Sequence, residues 1–208
     1  MSKLHRLQLP LSEAAVRSLH VDDHVLLDGE IVITAGLPTH DRILDHLESG
    51  KPLPVDLTNA AFFHLGSYSE DKDGAFDVLY MNPTTSTRFN SYMPTFIRRL
   101  NLRAVGGKGG LDAESGRAMQ EVGCVYLSFL GGGCPLLSAA IKEIVSVSWD
   151  DFIPHYRLVK LRVEELGPLV VAIDAHGANK FEMLKDDARA RLPDIMDELN
   201  RGRAARIG

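Results

Sequence analysis

The sequence lacks the features that would mark several specialised classes of protein. Two cysteines in 208 residues are too few for a disulfide framework, and they lack the close spacing of a zinc or iron-sulfur site. No apolar run reaches the roughly 20 residues that cross a bilayer, and the first ten residues lack the apolar stretch of a secretory signal. We therefore expect a cytoplasmic protein with no membrane partner, and we expect this chain alone to bind no metal.

Positive charge is also scarce. The chain has 23 lysines and arginines against 28 acidic residues, a formal net charge of -5. Binding to nucleic acid depends on neutralising phosphates with a basic surface, which this balance does not provide. The composition therefore argues against a nucleic-acid partner, and any anion-binding site must be local.

What remains is the composition of an ordinary globular domain. Hydrophobic residues make up 45% of the chain and charged residues 25%, as in typical folded proteins. The length lies near the upper end for one domain, and neither an internal repeat nor a shift in composition divides it. We predict one domain over residues 1–208, with the basic, small-residue tail 201–208 frayed.

The predicted elements alternate as in an α/β fold with a mixed sheet and flanking helices. Asp28-Gly29 between two β-branched runs predicts a hairpin, and Thr39–Glu48 has helical spacing, with Thr39 as its cap and Gly50 as its stop. Strand, glycine turn and helix then repeat twice, over about 104–121 and 125–144. Other predicted elements are strands at 60–65, 76–81, 156–163 and 169–173, a polar connection at 67–74, and helices at 91–100 and at the C-terminus.

A polar segment between a predicted strand and a predicted helix is the first candidate site. It reads Asn82-Pro83-Thr84-Thr85-Ser86-Thr87-Arg88. Backbone amides and hydroxyls at such a junction can converge on an anion, and the planar guanidinium of Arg88 matches a carboxylate with two parallel bonds. The segment therefore predicts a carboxylate pocket. The alternative is that its hydroxyls only cap the helix and that Arg88 is solvated.

A glycine-rich turn carries the second candidate. Gly106-Gly107-Lys108-Gly109-Gly110 contains four glycines, which are costly in conformational entropy and useful where a ligand approaches the backbone. The spacing does not match a P-loop, and no serine or threonine follows Lys108. The turn therefore predicts a cation held close to a ligand, with a flexible surface turn as the alternative.

Cysteine and histidine chemistry receives less support. Cys134 follows three glycines at a predicted helix start, where the helix dipole lowers a thiol pKa, so a cysteine hydrolase is an alternative. No base stands near it in sequence, and Pro135 suits an ordinary first helical position. The eight histidines show no metal-binding spacing, although His40 and His176 stand beside turns and can reach a site.

Four segments, taken in order, resemble the β subunits of two-subunit class I fumarases and L-tartrate dehydratases. They are Asn82–Tyr92, Gly106–Gly110, Gly131–Cys134 and Ile173–Asn179. The resemblance covers about residues 7–182, nearly the whole chain. It implies a swivelling β/β/α domain and an enzyme that reversibly eliminates water from a small 2-hydroxy dicarboxylate.

The resemblance also implies partners and residue roles. An α subunit would supply the cysteines of a [4Fe-4S] cluster, in an α2β2 assembly with a contact between β subunits. Thr84, Arg88 and Lys108 match the family's threonine, arginine and lysine that contact the diacid, with Thr84 and Lys108 as catalytic candidates. Further substrate-binding candidates are Thr85, His40 and Arg42.

One departure from the family pattern concerns specificity. The family usually has an arginine where this chain has Gly36, whereas His40 and Arg42 of the same stretch are kept. We therefore expect a less positive and roomier end of the site, and a poor reaction with fumarate unless Arg42 or a partner residue substitutes for the missing guanidinium. The departure also leaves open a non-catalytic binding or regulatory module that kept the fold.

Overall fold

The fold depends on the pairing of two strands that lie far apart in the sequence. In the computed structural model, which describes residues 2–72 and 75–207, β2 (His24–Ile33) pairs antiparallel with β9 (Leu158–Ile173). Ile33 lies opposite Val159, and His24 lies opposite Val170. The pairing joins a strand near the start of the sequence to the last strand of the sheet.

Three short parallel strands bridge the other edges of this pair. They are β3 (Ala61–Phe63), β6 (Ala104–Gly107) and β7 (Val125–Ser128), and they connect β2 to β9 in that order. Since β2 also pairs with β9, the order β2-β3-β6-β7-β9 closes into a ring among the described residues. Two more strands, β1 (Leu4–Gln8) and β8 (Ile141–Ser148), extend the sheet along β2 and β9.

Side-chain alternation divides the apolar residues between the two faces of the ring. Phe63 and Leu127 belong to a buried cluster with members from every ring strand, so this cluster fills the ring. Phe62 and Tyr126, their chain neighbours, point the other way and pack in a second cluster with residues of the outer helices. Each ring strand therefore separates two cores.

The helices cover the outside of the ring and its ends. The outer cluster includes residues of α2 (Leu37–Ser49), α3 (Met93–Leu100) and α4 (Ala113–Val122). The short α1 (Glu13–Arg17) and α5 (Cys134–Ala139) contribute to the inner cluster, and α6 (Lys180–Ile207) follows β9. No helix in the described part of the chain is long and apolar enough to cross a membrane.

Three small elements complete the described structure. The strands β4 (Leu65–Lys72) and β5 (Ala75–Pro83) form a separate two-stranded sheet, and 3-10 helices span Ser86–Phe89 and Pro154–Tyr156. The chain leaves the ring after β3, forms the two-stranded sheet, and returns to the ring at Thr84.

The mixed α/β architecture is confirmed, but several local predictions are wrong. Asp28-Gly29, predicted to be a hairpin turn, instead lies within the continuous strand β2. Irregular pairing at Leu27 and Gly29 lets this strand continue alongside β9. The polar connection predicted at 67–74 largely belongs to β4, and the rest of it, residues 73–74, lies outside the described residues. The cap of α2 is Gly36 rather than Thr39, whose hydroxyl donates to the carbonyl of Tyr156.

Long-range pairing explains the remaining differences. The helix predicted from Cys134 to Ile144 ends at Ala139, because β-branched residues after Ile141 pair with β9 as strand β8. The strands predicted at 156–163 and 169–173 form the single strand β9. The structure continues α6 through residues 201–207, and fraying of that end stays a prediction.

The packing inside the ring generates a stability prediction. Phe63 is fully buried, and its ring lies 5.0 Å from that of Phe129. We expect Phe63→Ala to lower the free energy of unfolding by about 3–5 kcal/mol, because truncation removes buried apolar surface and leaves a cavity. Urea denaturation followed by circular dichroism measures the change.

Leu4→Ala is the control for this measurement, since Leu4 lies on β1 with 60% of its surface exposed. It should change the free energy of unfolding by no more than about 0.5 kcal/mol. Equal losses in the two variants would contradict the placement of Phe63 in a packed interior.

Candidate functional site

Two of the predicted segments meet at one edge of the ring, beyond the carboxyl ends of β3 and β6. The N–H of Lys108 donates to the carbonyl of Thr84 at 3.0 Å, and the N–H of Ser86 donates to the carbonyl of Lys108 at 2.8 Å. Since neighbouring parallel strands end at the same edge of a sheet, the segment after β5 and the turn after β6 lie side by side. The structure thus joins Thr84, Thr85 and Lys108 in one place.

The turn after β7 forms another wall of this site. The N–H of Phe129 donates to the carbonyl of Gly107 at 2.9 Å. A Cβ placed on Gly131 would lie 3.8 Å from Cδ of Lys108. The glycine run that precedes Cys134 therefore flanks the lysine side chain.

Positive charge is exposed and unpaired at this edge. Arg88 and Lys108 are exposed, and Thr84 and Thr85 are half-buried. Neither cation has an ion-pair or side-chain hydrogen-bond partner among the residues that the structure describes. A guanidinium and an ammonium without partners, next to two threonines, are suited to hold carboxylate oxygens.

Three backbone amides of the first segment are used within the fold. The N–H groups of Thr84, Ser86 and Arg88 donate to backbone carbonyls of His64, Lys108 and Thr85 respectively. Thr85 occupies the cap position of the 3-10 helix, yet its side chain makes no capping hydrogen bond. The interpretation of Thr85 as a simple cap is therefore wrong.

The glycine-rich turn is packed closely against its neighbours. A Cβ on Gly106 would come within 3.0 Å of the carbonyl of Leu127, and one on Gly107 would come equally close to Oγ of Ser86. A loose surface turn would leave such positions open. The glycines therefore allow the backbone that carries Lys108 to lie directly on the strand ends.

A buried polar layer lies beneath the exposed residues. Oη of Tyr126 donates to Oγ of Ser86 at 2.8 Å, Oγ of Ser86 lies 2.9 Å from Nδ1 of His64, and the N–H of Gly110 donates to Oη of Tyr126 at 3.3 Å. All three side chains are fully buried, and burial raises the pKa of Tyr126, so its phenol is neutral. Sequence reasoning missed His64 and Tyr126, which carry no motif and stand in or beside apolar strands.

His40 belongs to the buried layer instead of the exposed group. Its Nδ1 lies 2.7 Å from the carbonyl of Gly36, and its ring stacks on Phe89 at 4.0 Å. Burial lowers the pKa of His40 to about 4 and holds the pKa of His64 well below its usual range. Nε2 of each histidine is buried without a hydrogen-bond partner in the described chain.

Arg42 is engaged elsewhere. Its two terminal nitrogens lie 2.9 and 2.8 Å from the carboxylate oxygens of Asp151, and its guanidinium lies 3.9 Å from the ring centre of Phe152. Arg42 is therefore paired within the chain, in contrast to Arg88 and Lys108, and its role in substrate binding stays a prediction.

The space beside Gly36 is filled. A Cβ there would lie 2.5 Å from Oγ1 of Thr39 and 2.9 Å from the backbone Cα of Tyr156. The expectation of extra room at this position is therefore wrong. Gly36→Arg would displace Tyr156, so that substitution tests folding rather than substrate choice.

The two cysteines of this chain do not fit an iron-sulfur cluster. Cys124 is fully buried, and burial raises the pKa of its thiol. The side chain of Cys134 has one neighbour in hydrogen-bond range, Oγ of Ser138 at 3.7 Å, and no histidine base contacts it. Among residues 2–70 and 80–203, whose side chains the structure describes, there is no group of three or more His, Cys, Asp or Glu that could hold a metal ion.

Most of the chain matches a known protein family. The family described as "Fumarase C-terminus" matches residues 2–184. The chain belongs to this family. All six site residues predicted from the sequence lie within the matched fumarase C-terminus region, whereas most of α6 lies beyond it.

Individual relatives agree with this assignment. The chain is 32% identical to the "Putative L(+)-tartrate dehydratase subunit beta" of Methanocaldococcus jannaschii over 187 residues, covering 89% of this chain and 95% of the relative. It is 29% identical to the L(+)-tartrate dehydratase subunit beta of Escherichia coli over 193 residues, covering 93% and 94% of the two chains. It is also 31% identical to the "Putative fumarate hydratase class I" of Geobacillus stearothermophilus, covering 89% of this chain but 35% of that one.

The close packing of the glycine turn predicts that Gly107→Ala damages the site. The added methyl meets Oγ of Ser86 within 3.0 Å and the carbonyl of Thr84 at 3.1 Å. We expect a loss of about 1–3 kcal/mol in the free energy of unfolding, since overpacking forces backbone shifts. Chemical denaturation measures the loss.

Gly202→Ala provides the matched control. Among the described residues, nothing lies within 4 Å of a Cβ at Gly202, which is exposed on α6. Replacing an exposed helical glycine by alanine should leave stability unchanged or raise it by up to about 1 kcal/mol. A stable Gly107→Ala protein would show that the turn is looser than described.

The buried histidine predicts a pH dependence of stability. His40 has a pKa of about 4 in the folded protein against an ordinary 6.5, so the unfolded chain takes up its proton first as the pH falls. This contribution to stability is complete above about pH 6.5 and is lost towards pH 4, by about 2 kcal/mol between pH 6.5 and 5. In His40→Gln, which cannot titrate there, the free energy of unfolding should fall less over this range. Parallel pH curves for the two proteins would contradict the prediction.

Proposed function

We propose that this chain is the β subunit of a two-subunit, iron-sulfur-dependent hydro-lyase that reversibly eliminates water from a small 2-hydroxy dicarboxylate. In this proposal the fold is the swivelling β/β/α domain of that enzyme class. The observation that carries it is the pair of exposed cations Arg88 and Lys108, which have no partner among the described residues, on the same segments as Thr84 and Thr85. The names of the relatives, tartrate dehydratase and fumarate hydratase, support the reaction class.

The arrangement suits the binding of a diacid. Arg88 can hold one carboxylate through two parallel hydrogen bonds, whereas Lys108 presents a single charge on a rigid turn. The threonine hydroxyls can each donate one further hydrogen bond to a carboxylate oxygen. Such contacts fix the diacid in one orientation, which lowers the entropic part of the barrier.

The same residues can stabilise the charge that develops during elimination. Removing a proton from the carbon next to a carboxylate places negative charge on that carboxylate, and a fixed cation there lowers the barrier. Lys108 suits this role because its backbone is held on both sides by the segment 84–86. Thr84 is a weak base by itself, so a proton-transfer role for Thr84 requires activation by neighbours.

The cluster belongs to the partner in this proposal. When bound, a [4Fe-4S] cluster supplies a Lewis acid for the substrate hydroxyl. Its ligands would come from the α subunit, since the two cysteines here do not fit. The names of several relatives include "subunit beta", which supports a second subunit, and we propose an α2β2 assembly with a contact between β subunits.

A second candidate is a non-catalytic binding or regulatory module with the same fold. The observation that favours it is the incomplete set of free cations: Gly36 carries no side chain, and the guanidinium of Arg42 is paired with Asp151. Such a module would bind a dicarboxylate through Arg88 and Lys108 without turning it over.

Reconstitution separates the two candidates. We expect the purified chain alone to bind no iron-sulfur cluster and to show no dehydratase activity, because its two cysteines cannot supply the required thiolates. Activity should appear when an α subunit is co-expressed and the cluster is reconstituted without oxygen. The assay follows alkene or keto-acid absorbance with four- and five-carbon 2-hydroxy dicarboxylates.

Each outcome of this experiment is informative. Turnover by the chain alone would contradict the two-subunit proposal. Dicarboxylate binding by a loaded assembly that shows no turnover would favour the regulatory module.

Substitution of the two cations tests the site. In the assembled enzyme we expect Lys108→Ala and Arg88→Ala each to lower kcat/KM by more than about tenfold, because a charge-assisted hydrogen bond contributes roughly 1.5–3 kcal/mol. Both side chains are exposed, so unfolding curves should stay close to wild type.

Two exposed cations outside the site are matched controls. Lys51→Ala and Arg99→Ala remove the same charges from exposed positions, and both should keep wild-type kcat/KM. Wild-type rates in the Lys108 and Arg88 variants would show that the anion site lies elsewhere.

A further inference from the structure

We propose that the buried chain Tyr126, Ser86 and His64 is a positioning network that fixes the segment carrying Lys108 against the segment carrying Thr84 and Thr85. Its effect on catalysis rests on the proposed function, whereas its effect on the loop belongs to this chain alone. None of the three side chains reaches the surface. They act through the backbone that they hold in place.

Ser86 is the residue through which the two segments are joined. Its N–H donates to the carbonyl of Lys108 at 2.8 Å, and its Oγ contacts Tyr126 and His64 at 2.8 and 2.9 Å. Gly107 packs against that hydroxyl so closely that a Cβ would not fit. Ser86 therefore contacts both residues of the Gly107–Lys108 pair, Gly107 through its hydroxyl and Lys108 through its N–H. A shift of Ser86 would displace both residues.

The donors and acceptors available in this chain fix the direction of each hydrogen bond. The N–H of Gly110 can only donate, so Oη of Tyr126 accepts from it. The phenol proton then goes to Oγ of Ser86, and the serine proton goes to Nδ1 of His64. His64 is left with its proton on Nε2, and every donor from Gly110 to Ser86 is satisfied.

His40 extends the network to the other side of the site. A carbonyl oxygen can only accept, so Nδ1 of His40 carries the proton that is donated to Gly36. Its Nε2 is then an acceptor, whereas Nε2 of His64 is a donor. These are the two ring nitrogens without another partner, and the rings lie 5.4 Å apart.

The opposite assignment is less favourable. With the proton of His64 on Nδ1, that nitrogen would donate to Ser86 and the serine would donate to Tyr126. The phenol proton would then have no acceptor, whereas in the first assignment the phenol and serine protons are both accepted. In either assignment Nε2 of His40 and Nε2 of His64 are buried without a partner among the described residues. Buried polar groups without partners are costly, so the first assignment is the one that the geometry supports.

The tautomers can be measured on the unmodified full-length chain. Nitrogen-15 NMR of the imidazoles at neutral pH should show His64 protonated on Nε2 and His40 protonated on Nδ1, both neutral. The measurement needs no partner subunit, no substrate and no variant. A His64 protonated on Nδ1, or a charged imidazolium, would overturn the network.

Two variants test whether the network holds the loop. Tyr126→Phe and Ser86→Ala each remove one hydroxyl, and we expect the amide hydrogens of Ser86 and Lys108 to exchange with solvent at least about tenfold faster than in wild type. Ser115→Ala is the matched control, because Ser115 is equally buried but its Oγ has no hydrogen-bond partner in the part of the chain that the structure describes. Exchange in the control should match wild type, and wild-type exchange in both test variants would overturn the proposal.

Kinetics of the assembled enzyme complete the test. In Tyr126→Phe we expect kcat to fall more than about tenfold with a smaller change in KM, since a misplaced Lys108 loses more in the transition state than in the ground state. Unchanged kinetics in a variant with faster loop exchange would contradict the positioning role. If the wild-type assembly shows no turnover with any 2-hydroxy dicarboxylate, the proposed function fails, and the tautomer and exchange measurements still decide whether the network holds the loop.

Discussion

The pairing of β2 with β9 is the constraint on which the rest of the structure depends. It joins strands separated by more than a hundred residues of chain and closes the ring through β3, β6 and β7. Closure places the carboxyl ends of the three short parallel strands at one edge, where the turns that follow them must meet. The candidate site forms because a different group follows each of these strands. His64 and the strand pair β4–β5 follow β3, Lys108 follows β6, and the glycine run before Cys134 follows β7.

The site combines exposed charge with a buried support. An unpaired lysine on a glycine-rich turn would ordinarily sample many positions, because glycine restrains the backbone little. Here the turn is held by hydrogen bonds to the segment 84–86 and by close packing on Ser86. Water-excluded hydrogen bonds are directional and costly to break, so the layer beneath can fix a group that itself remains open to a ligand.

The same domain occurs in short relatives, which it matches almost completely, and in a longer relative, of which it matches one part. It matches nearly the full length of the tartrate dehydratase β subunits and 35% of a class I fumarate hydratase from Geobacillus stearothermophilus. Lys108 lies exposed at one edge of the ring. In the proposed function, this edge is one wall of a site shared with another polypeptide region.

Local chemistry was readable from the sequence. The glycine turn with Lys108, the polar segment with Thr84, Thr85 and Arg88, and the helices that end at Gly50 and near Glu121 all depend on neighbouring residues, so their patterns predicted them. Contacts between distant residues were not readable. Asp28-Gly29 predicts a hairpin until β9 pairs across it, residues 141–144 are predicted as the end of a helix until β9 makes them part of a strand, and His40 suggests a ligand until Phe89 and Gly36 enclose it. Burial and long-range pairing belong to the assembled chain, which is why only the tertiary structure decided which polar residues face solvent and which form the layer beneath.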